Sequence, residues 1–150
     1  MGQSLNQIYV HLVFSTKNRV GFLLPDIREP LGAYMFGTLK ALDGQLLTFG
    51  AVSDHVHLLY SHPKNHTPIE VVGKIKSNSS RWAKTQGPVY AGFQWQAGYG
   101  AFSVSASRVG AVRRYILQQE AHHRRVSFQD EFRKFLKEYQ IAYDERYVWD

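Results

Sequence analysis

Two histidines stand two positions apart in Asp54-His55-Val56-His57-Leu58-Leu59. On a β-strand alternate residues point to one face, so both imidazoles can reach a single ion. Imidazole suits Mn, Zn, Fe and Cu and is a weaker ligand for Mg. The same pair also fits a wet sheet face that holds no ion, and the spacing alone does not choose. Neighbouring positions exclude two related chemistries. A histidine-triad nucleotide hydrolase needs a third His where Leu59 stands, and a zincin needs a His-Glu-x-x-His run, which the chain lacks. His122 and His123 are adjacent, point to different sides, and read as surface or phosphate contacts rather than a second metal site.

A second set lies in Arg113-Arg114-Tyr115-Ile116-Leu117-Gln118-Gln119. Tyr115 and Gln119 share one face of a helix whose apolar stripe is Val109, Val112 and Ile116. They fall at the margin of that stripe, where a side chain can face a cleft and still be fixed by packing. Tyr115 is also one of nine tyrosines, and an ordinary tyrosine packs its ring and leaves its hydroxyl wet.

The elements that must position these residues follow from periodicity. Ile8, Val10, Leu12 and Phe14 alternate with Tyr9, His11, Val13 and Ser15, a strand pattern. Pro25 to Leu42 reads as an amphipathic helix stopped by Asp43-Gly44. Leu46 to Val52 and His55 to Tyr60 form a hairpin through Ser53-Asp54. Pro68 opens a second helix that ends at Gln86-Gly87-Pro88. Phe93 to Gln96 and Ala101 to Val104 give two short strands, or one strand entered from the turn at Gly98 and Gly100. A third helix starts near Ser107, whose hydroxyl can cap it, and runs to about Ala121; a fourth spans Phe128 to Tyr139. The order β, α, β, β, α, β, α, α predicts an α+β fold: an antiparallel β-sheet with helices on one face, a ferredoxin-like or RRM-like split βαβ, and extra C-terminal helices.

At 150 residues and 44% hydrophobic content the chain is expected to form a single domain over 1–150, with a C-terminal helical part from about 107. A net charge of +6 favours polyanionic partners. The absence of cysteine excludes disulfides, zinc-thiolate sites and thiol nucleophiles. No segment approaches a membrane span and no secretory signal is present, so a cytoplasmic protein is expected, with no membrane partner.

Five motifs carry a resemblance that covers nearly the whole chain. They are His11-Leu12-Val13-Phe14-Ser15-Thr16-Lys17-Asn18-Arg19, then Asp54 to Leu59, Lys76-Ser77-Asn78-Ser79-Ser80-Arg81-Trp82, Trp95 to Val104, and Tyr115 to Gln119 with His122-His123. In this order they resemble the single-tyrosine HUH transposases of the insertion-sequence-200-like class, REP-associated relatives included. The resemblance implies a DNA transposase of a bacterial or archaeal cell. It would cleave and rejoin single-stranded DNA at hairpin-bearing element ends through a 5′-phosphotyrosine intermediate. It also implies Tyr115 as nucleophile, and His55, His57 and Gln119 as ligands of a divalent metal, Mg2+ or Mn2+. It further implies a homodimer in which the tyrosine helix of one subunit can complete the site of the other; the stretch from Phe102 to Ser107 is our candidate for the flexible tether such an exchange would need.

For DNA phosphates the candidates are Lys17, Arg19, Lys74, Lys76, Arg81, Arg113, Arg114, Arg124 and Arg125, set against the plain alternative of a solvated basic surface. Trp95, Tyr99 and Phe102 are candidates to stack on unpaired bases, core packing being the expectation for at least one. Three other functions stay open: a domesticated nuclease that cuts repeat hairpins by the same chemistry, a non-catalytic single-stranded nucleic-acid-binding module, and a metal-dependent phosphodiesterase with a water nucleophile. The module would be indifferent to Tyr115→Phe, and the phosphodiesterase would form no covalent adduct.

Overall fold

The computed structural model describes residues 2–123 and 125–150. Four strands, β1 (Tyr9–Ser15), β2 (Gln45–Ala51), β3 (His55–Ser61) and β4 (Gly100–Val104), form one sheet in the order β2-β3-β1-β4. Every neighbouring pair is antiparallel. Helix α1 (Pro25–Ala41) joins β1 to β2, and α2 (Pro68–Ala83) joins β3 to β4. This is the split βαβ expected from the pattern, an α+β fold with β1 and β3 in the centre. Helices α3 (Val109–Leu117), α4 (Gln119–His122) and α5 (Phe128–Glu138) follow β4.

Local chemistry explains where the helices start and stop. Pro25 occupies the start of α1, Asp26 lies in its first turn, and Asp43 leaves it at φ 65°, in the left-handed region. Thr67 and Glu70 form a reciprocal capping box at the start of α2, with Pro68 beginning the helix.

The parity of β1 and β3 sorts their side chains into two layers. Val10, Leu12, Phe14, Val56, Leu58 and Tyr60 meet Ile27, Leu31, Met35 and Leu39 of α1 and Val71, Val72 and Ile75 of α2 in the main core. The opposite face carries His11, Val13, His55, His57 and Leu59, and the C-terminal helices cover it. Val13 and Phe102 pack with Phe128, Phe132 and Leu136 of α5, while Leu59 and Val104 pack with Ile116 of α3. A fully buried side chain of this kind contributes about 1.5–3 kcal/mol. A handful of them thus anchors each helix over the histidine face.

Two glycines permit that approach. A Cβ at Gly50 on β2 would sit 2.5 Å from the carbonyl oxygen of Ile116, and one at Gly100 on β4 would sit 2.7 Å from the ring of Phe132.

One open alternative is resolved and three expectations change in detail. Ala101 to Val104 lies in the single strand β4, and the upstream aromatic stretch contributes only an isolated bridge between Thr16 and Trp95. The third helix is interrupted: Gln118, at φ −103° and ψ 14°, separates α3 from α4, which begins at the buried Gln119. Ser107 does not cap it, because a 3-10 turn over Ala106–Arg108 precedes α3 and makes Arg108 the residue before the helix. The supposed tether is largely strand, since Phe102 to Val104 pair with β1, leaving Ser105 as the residue between β4 and that turn.

Candidate metal and nucleophile site

His55 and His57 emerge from β3 on the face covered by the C-terminal helices, and both are buried. His55 Nδ1 donates to Asp54 Oδ1 at 2.8 Å, which leaves Nε2 with its lone pair turned inward, 2.9 Å from His123 Nε2. Carboxylate-to-imidazole contacts of this kind hold a ligand ring in one tautomer. His57 Nδ1 lies 2.8 Å from Nε2 of His11, which projects from β1 to the same face. Burial, with His57 beside it, pulls the His11 pKa down to about 3, and burial outweighs the attraction of Glu131 to bring His57 to about 4. Both rings are neutral near pH 7. Their shared bond can run in either direction, so His57 can present a lone pair at Nε2 when its proton resides on Nδ1.

Glu131 on α5 closes the site. Its Oε1 accepts from His57 Nε2 at 2.9 Å and His123 Nε2 at 3.2 Å, and lies 3.6 Å from His55 Nε2. Its Oε2 accepts from the Tyr115 hydroxyl and lies 3.1 Å from His122 Nε2. Burial alone would raise the pKa of a carboxyl that is only 3% exposed, but hydrogen bonds from His123, His57 and Tyr115 hold it well below the usual carboxylate range. Glu131 is a carboxylate at neutral pH.

Tyr115 reaches this cluster from α3, its ring centroid 5.8 Å from that of His57 and its hydroxyl 3.3 Å from His122 Nε2. Burial and the Glu131 charge push the phenol well above its ordinary value. Gln119, 2% exposed, donates through Nε2 to the Tyr115 carbonyl at 3.4 Å, while its Oε1 has no hydrogen-bond partner among the described residues. A cavity of about 650 Å³ opens onto Tyr115, His122 and Glu131 between β4, α3 and α5. A second, of about 530 Å³, reaches Asp54 and His123 past Arg19 and Arg28.

The donor set fits a divalent ion. One ligand atom each from His55, His57, His123 and Glu131 lie within 4.8 Å of one another, and the unpartnered Gln119 oxygen is a further acceptor on the adjoining helix. Three imidazole nitrogens with a carboxylate suit Mn or another borderline ion better than Mg.

Sequence reasoning named His55, His57, Tyr115 and Gln119 as candidates, and the structure buries His55, His57 and Gln119 and brings the Tyr115 hydroxyl to Glu131; it did not name Glu131 or foresee the inward position of His123. One signal was present: Glu131 interrupts the apolar stripe Phe128, Phe132, Phe135, Leu136 of α5, and a carboxylate inside such a stripe needs a partner.

The proposed DNA contacts divide. Lys17, Lys74, Arg81, Arg113, Arg114 and Arg125 are exposed, and Arg19 lines the mouth beside Asp54 and His123. Arg124 lies outside the described residues. Lys76 turns inward, its ammonium donating to the carbonyls of Gln96, Ala97 and Gly98, and burial lowers its pKa to about 8. Tyr99 is half-buried under that ammonium. Trp95 and Phe102 are core residues: the Trp95 indole donates to Ser79, and Phe102 packs under α5, so neither ring is free to stack on a base.

Fold and site together define a ferredoxin-like α+β protein with a paired-histidine centre facing a tyrosine-bearing helix. The sequence profile described as "Transposase IS200 like" matches residues 4–119, and the chain belongs to that family of transposases. Among solved structures, a Deinococcus radiodurans R1 protein provisionally assigned as a transposase shares the fold. Its TM-score is 0.62 at 22% identity, over 79% of this chain and 96% of that one. A REP-associated tyrosine transposase bound to a REP hairpin matches with a TM-score of 0.60 at 12% identity, over 82% of this chain and 74% of that one. No curated protein matches significantly. Among the described residues no helix is long and apolar enough to cross a membrane.

Proposed function

We propose that this transposase cleaves and rejoins single-stranded DNA at hairpin-bearing ends, with Tyr115 as nucleophile and a divalent ion, Mn2+ or Mg2+, held at His55 and His57. The observation that carries the reading is the convergence of the Tyr115 hydroxyl and His57 on one buried carboxylate, Glu131. His123 and Glu131 supply further donors, and Gln119 offers its unpartnered oxygen. Bound there, the ion would supply Lewis-acid stabilisation of the charge that develops on phosphate oxygens.

In the cleavage step Tyr115 Oη forms a bond to phosphorus while the bond from phosphorus to the 3′ oxygen breaks. The 3′ oxygen leaves and takes up a proton from water to become a hydroxyl, and the 5′ end stays on the tyrosine. Because the phenol is neutral at pH 7, its proton must depart during attack. Glu131 Oε2 and His122 Nε2 are the groups that touch it. A 3′ hydroxyl arriving later reverses the step without a further energy source.

Arg19, Arg113 and Arg114, with Lys17 and Arg81, are the side chains assigned to the DNA backbone. Membership in the transposase family supports a DNA substrate, and a like-folded protein that holds a REP hairpin is consistent with a hairpin ligand. Homodimerisation and a cytoplasmic setting belong to the same reading. Within one chain the Tyr115 ring centroid lies 5.8 Å from that of His57, an arrangement consistent with attack by the tyrosine of the same subunit. The test is covalent capture of labelled single-stranded DNA from the flanks of the gene in the presence of Mn2+ or Mg2+. An adduct that Tyr115→Phe abolishes is expected; DNA binding with no adduct would favour a non-catalytic binding module, and cleavage with no adduct would favour a water nucleophile.

A further inference from the structure

The two oxygens of Glu131 face different groups. Oε1 faces His57, His123 and His55, whereas Oε2 faces Tyr115 and His122. We propose that Glu131 is a catalytic residue that ties the ion to the nucleophile, Oε1 completing the ligand set with His55, His57 and His123 while Oε2 fixes the Tyr115 hydroxyl beside it.

Three observations support this division of labour. First, the carboxylate is not where folding alone would put one. Position 131 lies on the buried face of α5 beside Phe128 and Phe132, where an apolar side chain would pack without the cost of burying a charge. Second, the contacts are sorted by oxygen atom, so an ion on the histidine side need not displace the tyrosine. A carboxylate shared in this way holds ion and phenol a single carboxyl group apart, which lets one phosphate meet both. Third, Glu131 lies beyond residues 4–119, the span that matches the family profile, so α5 brings to the site a group that the matched region does not contain. The proposal rests on the metal-dependent tyrosine reading, and its test reads metal binding and the phenol environment separately from DNA cleavage.

The intact chain is titrated with Mn2+ by calorimetry, and with Zn2+ while the Cζ resonance of Tyr115 is followed in protein carrying 13C-labelled tyrosine. Thermal unfolding verifies that each variant folds. Glu131→Gln, which keeps the shape and removes the charge, should weaken Mn2+ by about 10–100-fold and shift the Tyr115 resonance before any metal is added. Tyr115→Phe should bind Mn2+ within about twofold of the parent chain, since a phenol hydrogen-bonded to Oε2 is not a ligand. If Glu131→Gln does not fold, Glu131→Asp serves: it keeps the charge but shortens the reach, and should still shift Tyr115. Unchanged Mn2+ affinity in the folded variant, an unmoved Tyr115 resonance, or a parent chain that binds neither ion would overturn the proposal. Affinity lost only in Gln119→Ala would reassign the ligand to Gln119 and overturn it equally. Should the cleavage reading fail, the parent chain would form no adduct while these binding results stood. Should the present proposal fail, the adduct would form with Glu131→Gln still binding Mn2+ fully.

Discussion

The Tyr115 hydroxyl on α3 and the Glu131 carboxylate on α5 are hydrogen-bonded across 16 positions of chain, and the same carboxylate accepts from His57 on β3. A strand and two helices, none of which supplies a site alone, are joined at one buried charge.

That junction makes His57 a contributor to the fold as well as a candidate metal ligand. His57→Ala removes the donor to Oε1 and the partner of His11 at once, leaving two buried polar groups short of a hydrogen bond. A loss of about 3 kcal/mol in urea unfolding of the metal-free protein is expected, together with loss of Mn2+ binding by calorimetry. A variant as stable as the parent would mean that Glu131 is not held by this bond.

Acid should loosen the same centre. His11 and His57 have folded pKa values of about 3 and about 4, below the unfolded value of 6.5, so the unfolded chain binds protons that the folded chain refuses. Their contribution is therefore complete above about pH 6.5 and is lost as pH falls toward 4, at about 1.4 kcal/mol per pH unit for each ring. Glu131, depressed below its ordinary range, is lost in the same direction at still lower pH. Urea midpoints of the metal-free chain should fall steeply from pH 6.5 to 4.5, and His11→Phe should flatten the slope by about half. A midpoint independent of pH in that window would contradict the assignment of neutral buried rings.

Gly50 tests whether α3 is held at the right height. Any side chain there meets the Ile116 carbonyl, one residue after Tyr115, so Gly50→Val must push α3 off the sheet. Overpacking of this kind costs about 1–3 kcal/mol, and a displacement near 1 Å at a reacting atom can lower the rate about 100-fold. Adduct formation should fall far more than Mn2+ affinity, because His55 and His57 stay on β3. Equal losses in both would show that the whole face had collapsed.

The basic residues should separate by role. Lys76→Met deletes an ammonium that ties three carbonyls of the segment before β4, so it should lower stability by about 2 kcal/mol and leave the salt dependence of DNA binding unchanged. Arg113→Ala and Arg114→Ala should do the reverse, each reducing the slope of log affinity against log salt by about 0.7 for single strands, measured by fluorescence anisotropy. A changed slope in Lys76→Met would return that residue to the DNA track.

What the sequence made legible was local. The alternation around His11 and His57, the three- and four-residue spacing of α1, and the placement of Tyr115 beside the stripe ending at Ile116 each depend on neighbours along the chain, and each matches the structure. Glu131 and His123 were not legible because their meaning comes from α5 folding back across the sheet, a contact that spans 74 positions from His57 to Glu131. The Gln118 break had no Gly or Pro to announce it, and the exposed appearance of Lys76 on a helical wheel gave no sign of the three carbonyls that draw it inward. Trp95 and Phe102 show the same limit: aromatic composition does not say which rings the core will take.

The most direct test of the central claim is a denaturing gel of the protein incubated with 5′- and 3′-labelled single-stranded hairpin DNA and Mn2+. The account predicts a protein-linked band carrying the 5′ end of the cleaved strand, absent in Tyr115→Phe and in EDTA, with a free 3′ hydroxyl on the released fragment. Cleavage that persists in Tyr115→Phe, or a covalent band that forms without a divalent ion, would contradict it.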